Sequence, residues 1–107
     1  MFRQRQPLTL FRVTSSVPKQ PGVYIIYDGR GRPFYVGRSR VSIFYRLRCH
    51  ASGSGSRKVR DALKRREKLT FEWEEMDSPE QAEAQLIAEL GTLAAGNLRR
   101  ETDPADW

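Results

Sequence analysis

The sequence predicts an α+β domain in which a small three-stranded antiparallel sheet is flanked by three helices, in the order β-β-α-α-β-α. Three observations lead to this prediction: two β-rich runs that flank a turn, a later run that alternates apolar and polar residues, and helical spacing in the segments between and after them. A chain of 107 residues can bury one modest core, so we expect a single compact domain.

The predicted hairpin runs from Gly22 to Gly37. Asp28-Gly29 tolerates the positive φ of a tight reversal, and Pro33 suits the start of the second strand. Strand alternation divides the apolar side chains of the first run between two faces, with Tyr24 and Ile26 on one and Val23, Ile25 and Tyr27 on the other. Because both faces carry apolar side chains, we expect the hairpin to be covered on both sides.

Two helices are predicted after the hairpin. The first spans Val41 to Cys49, with Ser39 or Ser42 as its N-cap. A loop of small residues follows, and Ser56 is placed to cap a second helix that continues to about Arg66.

A third strand and a last helix complete the predicted order. Leu69, Phe71 and Trp73 alternate with polar residues, which is typical of a strand with one buried face. Ser78 and Pro79 then favour a helix start, with Gln81 placed to bond back to the cap. This helix is expected to run to about Leu90, with Gly91 ending it.

The remaining segments set the predicted domain limits. Residues 1–20 form an N-terminal extension, in which the patch Leu8-Thr9-Leu10-Phe11 either adds an edge strand or covers the core. Residues 21–97 form the domain, and residues 98–107 form a loosely held tail. No apolar run approaches the roughly 20 residues of a membrane span, the first residues lack a secretion signal, and Cys49 is the only cysteine. We therefore expect a cytoplasmic protein without membrane association.

The charge distribution is uneven along the chain. Residues 30–66 hold twelve Lys or Arg and a single acid, Asp61, whereas residues 67–107 hold eleven acids and three bases. Clustered arginine suits a phosphate backbone, because guanidinium groups bind phosphate oxygens bidentately and release condensed counterions. A solvated helix face is an equally good interpretation of this block. An anionic membrane surface is less well supported, because no segment has a wide apolar face.

Two short motifs of the chain resemble the signature of the GIY-YIG nuclease superfamily. Gly22-Val23-Tyr24 and Tyr35-Val36-Gly37 match its two-part signature, with Val in place of the central Ile in both halves. Arg46, His50 and Glu83 follow at family-like spacing, although the interval from Tyr35 to Arg46 is a residue longer than in several members, which keeps Arg48 as an alternative. The resemblance implies a three-stranded antiparallel sheet surrounded by helices and an endonuclease activity.

Glu83 lies on an apolar stripe. With Leu86, Ile87 and Leu90 it occupies positions i, i+3, i+4 and i+7 of the last helix. A buried carboxylate needs an arginine or a cation as partner, although a glutamate at the edge of the stripe can also reach water. The resemblance implies that Glu83 binds the one catalytic divalent ion, Mg²⁺ or its substitute Mn²⁺. Mg²⁺ needs few protein carboxylates because it keeps several waters.

Arg46 and His50 stand at i and i+4, on one face of the first predicted helix. Taken alone, this spacing indicates a surface arginine beside a half-buried histidine. The resemblance implies instead that Arg46 contacts the phosphoryl group and that His50 assists a proton transfer.

The signature tyrosines, Tyr24 and Tyr35, are structural in most sheets. The resemblance implies that both line the site and that one orients or deprotonates the attacking water, which requires a nearby cation to lower a pKa near ~10. It also gives supporting roles to Gly37 and Asn97. The residues expected to bind nucleic acid come from the cationic block: Arg38, Arg40, Arg48, Arg57 and Lys58.

These features favour a divalent-metal-dependent endonuclease that acts on DNA as a monomer or weak dimer. We expect it to select single-stranded, branched or damaged DNA and not to recognise a long sequence, because a lone small domain lacks an appended DNA-reading module. The alternatives are a catalytically inactive nucleic-acid-binding module of the same fold and a protein-interaction domain for an acidic partner.

Overall fold

A computed structural model describes residues 2 and 4–91 of the chain. Its described residues form one four-stranded antiparallel sheet with strand order β1-β4-β2-β3, and four helices. The elements in chain order are β1 (Gln6–Pro7), α1 (Leu10–Ser16), β2 (Gly22–Tyr27), β3 (Pro33–Ser39), α2 (Ile43–Ala51), α3 (Arg57–Lys64), β4 (Thr70–Glu75) and α4 (Pro79–Leu90).

The α+β class and the predicted order of six elements are confirmed, but the sheet has one strand more than predicted and the domain one helix more. Both additions lie in the N-terminal extension. β1 is a two-residue edge strand on β4, and Thr9 caps α1 by accepting a hydrogen bond from the backbone N–H of Arg12. The apolar patch is therefore divided, because Leu8 is buried whereas Leu10 and Phe11 are exposed on the helix.

β2 is a central strand, between β3 and β4, and all six of its residues are buried. Its reversal into β3 differs from the predicted tight turn at Asp28-Gly29. The loop closes with hydrogen bonds between Asp28 and Arg32, and the residue with positive φ is Gly31, at 80°. A bulge between Ile26 and Tyr27 accommodates the longer loop.

The sheet separates two apolar clusters, as the two-faced alternation of β2 predicts. One face carries Tyr24, Ile26 and Tyr35 and packs with residues of α1, α2 and α3. The opposite face carries Ile25, Tyr27 and Val36, and it packs against Ile87 of α4. Residues one position apart on β3 therefore face different helices.

Local capping explains where the helices begin. Ser42 and Ser56 cap α2 and α3 by accepting backbone N–H bonds from Tyr45 and Lys58. Ser78 occupies the N-cap position of α4 as predicted, but its side chain makes no capping hydrogen bond, so this part of the prediction is wrong. Pro79 and Gly91 bound the helix as predicted.

Glu83 and Ile87 are buried on α4, whereas Leu90 is exposed at its C-terminal end, contrary to the predicted stripe. Asn97 and the predicted tail, residues 98–107, lie outside the described residues. Among the helices that the structure describes, none has the length and apolar character needed to cross a membrane.

Candidate active site

A buried tyrosine and a buried histidine meet on the helix-covered face of the sheet. Tyr24 lies at the centre of β2, and His50 lies near the end of α2. The Tyr24 hydroxyl and His50 Nε2 are 2.7 Å apart, and both residues have no solvent exposure. A neutral imidazole with its proton on Nδ1 accepts the phenolic hydrogen at Nε2. This pair is therefore a buried hydrogen-bonded contact between the sheet and the helix.

The second signature tyrosine completes an aromatic frame around His50. The ring centroids of Tyr35 and His50 are 5.1 Å apart, and those of Tyr24 and His50 are 5.4 Å apart, both in edge-to-face orientation. Gly37 makes this packing possible, because a Cβ at that position would lie 2.8 Å from Cε1 of Tyr24 and closer still to the ring carbon that bears the hydroxyl. The predicted supporting role of Gly37 thus has a steric basis.

Arg46 lies one helical turn before His50 and is also buried. Burial lowers the pKa of His50 well below its usual value near 6.5, and the positive charge of Arg46 lowers it further. His50 is therefore a neutral imidazole at pH 7. A guanidinium keeps its charge at any physiological pH, so Arg46 adds a fixed positive charge to the site.

The lowered pKa of His50 predicts an acid-sensitive fold. In the unfolded chain His50 takes up a proton below pH ~6.5, whereas in the folded protein it stays neutral, so stability present above that pH is lost as the pH falls. The free energy of unfolding should fall by up to about 1.4 kcal/mol per pH unit in this window. Denaturant unfolding between pH 7.5 and 5 measures it, and His50→Gln should lack this component. An equal slope in the variant would contradict the prediction.

On the opposite face of the sheet, a buried ion pair links β3 to α4. Arg38 Nε lies 3.1 Å from Glu83 Oε1, and the two side chains are 6% and 2% exposed. The expectation that a carboxylate on the apolar stripe meets an arginine is confirmed. Arg38, assigned from sequence to the nucleic-acid surface, is thus a buried side chain whose guanidinium contacts Glu83.

The predicted site residues form two groups that share β3. Tyr24, Tyr35, Arg46 and His50 lie on the face covered by α2, whereas Glu83 lies on the face covered by α4. Because β3 is an edge strand of the described sheet, its outer side is where these two faces meet. The alternation of β3 places Gly37 against Tyr24 and its neighbour Arg38 against Glu83.

The other predicted nucleic-acid-binding residues lie at or near the surface. Arg40 is exposed and pairs with Glu80, whose pKa is lowered by the backbone N–H at the start of α4 and also by Arg40. Arg48 is exposed on α2, with its guanidinium carbon 5.8 Å from the centre of the Tyr45 ring. Arg57 is exposed and Lys58 half-buried in the first turn of α3.

Ser39 is a buried positioning residue that sequence reasoning did not assign to the site. Its hydroxyl accepts hydrogen bonds from the backbone N–H groups of Val41 and Ser42, which fixes the turn from β3 into α2. This turn sets the distance between the signature strand and the helix that carries Arg46 and His50. The sequence analysis named Ser39 only as a possible N-cap of this helix, a role that is typical of a serine between a strand and a helix.

Together these features define a class of protein: a small α+β domain with a buried tyrosine–histidine–arginine site on one side of its edge strand and a buried glutamate–arginine pair on the other. The sequence matches the GIY-YIG catalytic domain model over residues 20–97, and the chain belongs to that family. A comparison with curated protein sequences gives no significant match. Membership of the family supports a nuclease-type function and implies a nucleic-acid substrate.

Nucleases of this family generally use divalent metal ions. Among the described residues there is no group of three or more His, Cys, Asp or Glu side chains that would hold a metal by protein ligands alone. Such a donor set disfavours structural zinc, which takes four protein ligands. The single carboxylate of Glu83 fits an ion such as Mg²⁺, which keeps several waters and accepts one or two carboxylates.

Proposed function

We propose that this chain is a divalent-metal-dependent endonuclease that hydrolyses phosphodiester bonds in DNA. The observation that carries the proposal is the buried contact between the Tyr24 hydroxyl and His50 Nε2, beside the charge of Arg46. A proton-accepting pair and a fixed cation are the groups needed to activate a water molecule and to stabilise a phosphoryl oxyanion. The family membership of the chain supports the same reaction class.

In the proposed reaction, Tyr24 is the residue that takes the proton from the attacking water. As the water oxygen bonds to phosphorus, its proton passes to the Tyr24 oxygen while the phenolic proton passes to His50 Nε2. The bond to the 3′ oxygen breaks, leaving a 5′-phosphate and, once that oxygen is protonated, a 3′-hydroxyl. Tyr24 is preferred to Tyr35 for this role because its hydroxyl already contacts the imidazole.

Arg46 stabilises the charge that develops on the phosphoryl oxygens. Its charge also makes protonated His50 unfavourable, so the proton leaves the imidazole readily after each turnover. Glu83 would hold the metal ion, Mg²⁺ or its substitute Mn²⁺. A bound divalent ion supplies Lewis-acid stabilisation of the oxygens around phosphorus.

We place the scissile phosphate beside the outer edge of β3, where the two groups of site residues converge. Arg48 and Arg57 extend positive charge from α2 and α3 for the rest of the strand. Tyr45, which is 47% exposed, lies next to Arg46 in sequence and beneath the Arg48 guanidinium. An exposed aromatic ring with an arginine over it suits an unpaired base, which favours single-stranded or branched DNA over a strict duplex sequence.

Neutralising the first turn of α3 should weaken nucleic-acid binding without changing sequence preference. For Arg57→Gln/Lys58→Gln, the slope of log affinity against log salt should become shallower by about 0.7 to 0.9 for each phosphate that the variant no longer neutralises. Fluorescence anisotropy with a labelled single strand measures the slope. Arg30→Gln/Arg32→Gln is the matched control, because it also removes two exposed positive charges, on the hairpin loop where Arg32 pairs with Asp28. Equal reductions of affinity in both variants would argue against a binding surface on α3.

Cleavage of circular DNA tests the proposed activity. With Mg²⁺, covalently closed single-stranded circles and plasmid circles carrying a cruciform should be opened faster than relaxed duplex circles, leaving 5′-phosphate ends. Circles have no termini, so opening identifies an endonuclease. Salt-sensitive binding without opening in any divalent ion would instead identify a catalytically inactive binding module.

A further inference from the structure

The Arg38 side chain is fixed by its buried position on β3 and not by a flexible contact at the surface. It lies near the end of β3 with 5% exposure, on the face that packs against α4. There its Nε–H points to Oε1 of Glu83 across 3.1 Å. The two residues are 45 positions apart, so the contact exists only in the folded domain.

This contact makes the ionised form of Glu83 tolerable before any metal binds. Burying a carboxylate is unfavourable unless a counter-charge accompanies it. Within the part of the chain that the structure describes, the buried ionic side chains are two arginines, Arg38 and Arg46, and one carboxylate, Glu83. A divalent ion at Glu83 would therefore meet a buried carboxylate whose charge is already offset by Arg38.

We propose that Arg38 is an internal counter-ion that competes with the divalent metal for Glu83 and thereby sets the metal affinity of the site. This inference rests on the proposed function, in which Glu83 is the metal ligand. The guanidinium contacts the carboxylate that would hold the metal, and its charge repels a dication held there. A guanidinium does not deprotonate, so the competition persists at every physiological pH.

The competition also couples metal binding to substrate binding. A phosphodiester brings negative charge to the edge of β3 and offsets the repulsion between the dication and the Arg38 guanidinium. The metal is therefore held weakly by the free protein and more tightly once the nucleic acid is present. Between reaction cycles, Glu83 stays in its buried position and remains paired with Arg38.

Direct Mn²⁺ binding tests the role of Arg38 without measuring activity. Electron paramagnetic resonance of free Mn²⁺ gives the affinity of the wild-type protein, Arg38→Gln, Glu83→Gln and the double variant. Arg38→Gln should bind Mn²⁺ about tenfold more tightly than the wild type, a size typical of coupling between two sites. The tighter site should disappear in the double variant. Arg65→Gln is the matched control, because it removes an arginine that pairs with Glu67 instead, and its affinity should stay within about twofold of the wild type.

The outcomes separate this inference from the proposed function. Equal or weaker Mn²⁺ binding by Arg38→Gln, with Glu83-dependent binding still present, overturns the competition and leaves the proposed function standing. Mn²⁺ affinity that is unchanged by Glu83→Gln in both backgrounds removes Glu83 as a ligand and overturns both.

Thermal unfolding tests the inference even if the Arg38→Gln variant folds poorly. Mn²⁺ should raise the Tm of Arg38→Gln more than that of the wild type, because a tighter ligand stabilises the folded state more. A variant that folds only when Mn²⁺ is added, and only with Glu83 present, supports the inference. A variant that stays unfolded at saturating Mn²⁺ contradicts it.

Discussion

Tyr24→Phe is expected to lower kcat by about 10²- to 10⁴-fold, the usual contribution of a positioned acid–base group. The change removes the hydroxyl that bonds His50 Nε2 and keeps the ring that fills the space beside Gly37. The fold and nucleic-acid binding should therefore persist while the path for the proton is broken. Single-turnover cleavage of an end-labelled single strand measures the chemical step apart from binding.

Tyr27→Phe provides a matched control on the same strand. Tyr27 faces the opposite side of the sheet, where its hydroxyl donates a hydrogen bond to Glu72. Burial raises the pKa of Tyr27 to about 12, and Glu72 adds to that rise, so this phenol stays protonated under assay conditions. The substitution should leave kcat within about threefold of the wild type. Equal reductions of kcat in the two variants would remove the special role of Tyr24.

Gly37→Ala is expected to damage both stability and catalysis. The added methyl group would overlap the Tyr24 ring, which has no free space because it is fully buried. Overpacking of this kind costs about 1–3 kcal/mol of folding free energy. Displacing the Tyr24 hydroxyl from His50 by about 1 Å should also lower cleavage by roughly 10²-fold. Chemical denaturation and single-turnover cleavage measure the two effects.

Gly29→Ala separates this steric effect from the general consequence of replacing glycine. A Cβ at Gly29 would meet Glu67 and Lys68 at ordinary contact distances, the nearest 3.7 Å away. The free energy of unfolding should therefore change by no more than about 0.5 kcal/mol, and cleavage should be retained. A Gly37→Ala protein that unfolds and cleaves like Gly29→Ala would show that the close packing of Gly37 on Tyr24 is not needed.

Much of the fold was predictable because most of its strands and helices have local sequence signals. The period-2 pattern of β4 and the apolar residues of β2 predict both strands, and caps such as Ser42 and Ser56 mark helix starts. β1 was not predicted because two residues are too few to show the period-2 alternation of a strand. It is defined instead by its pairing with β4, more than sixty residues away in the chain.

The site shows the same division between local and long-range information. Helical spacing predicted that Glu83 faces inward, but it did not identify Arg38 as its partner 45 positions away. The contact between Tyr24 and His50 also joins residues far apart in the chain, and the lowered pKa of His50 depends on complete burial. Such pairings follow from how β2 and β3 align with α2 and α4, which local patterns do not encode.

Metal-dependent cleavage by Glu83→Gln tests the central proposal most directly. Glutamine keeps the size of the side chain and an oxygen that can accept the Arg38 hydrogen bond, but it lacks the charge that holds a dication. The wild type should open single-stranded circles with Mg²⁺ or Mn²⁺ and lose that activity when the ion is chelated. Glu83→Gln, with circular dichroism confirming its fold, should lose at least about 10²-fold of the activity at every ion concentration. Cleavage by Glu83→Gln at the wild-type rate and with the same ion dependence would contradict the account.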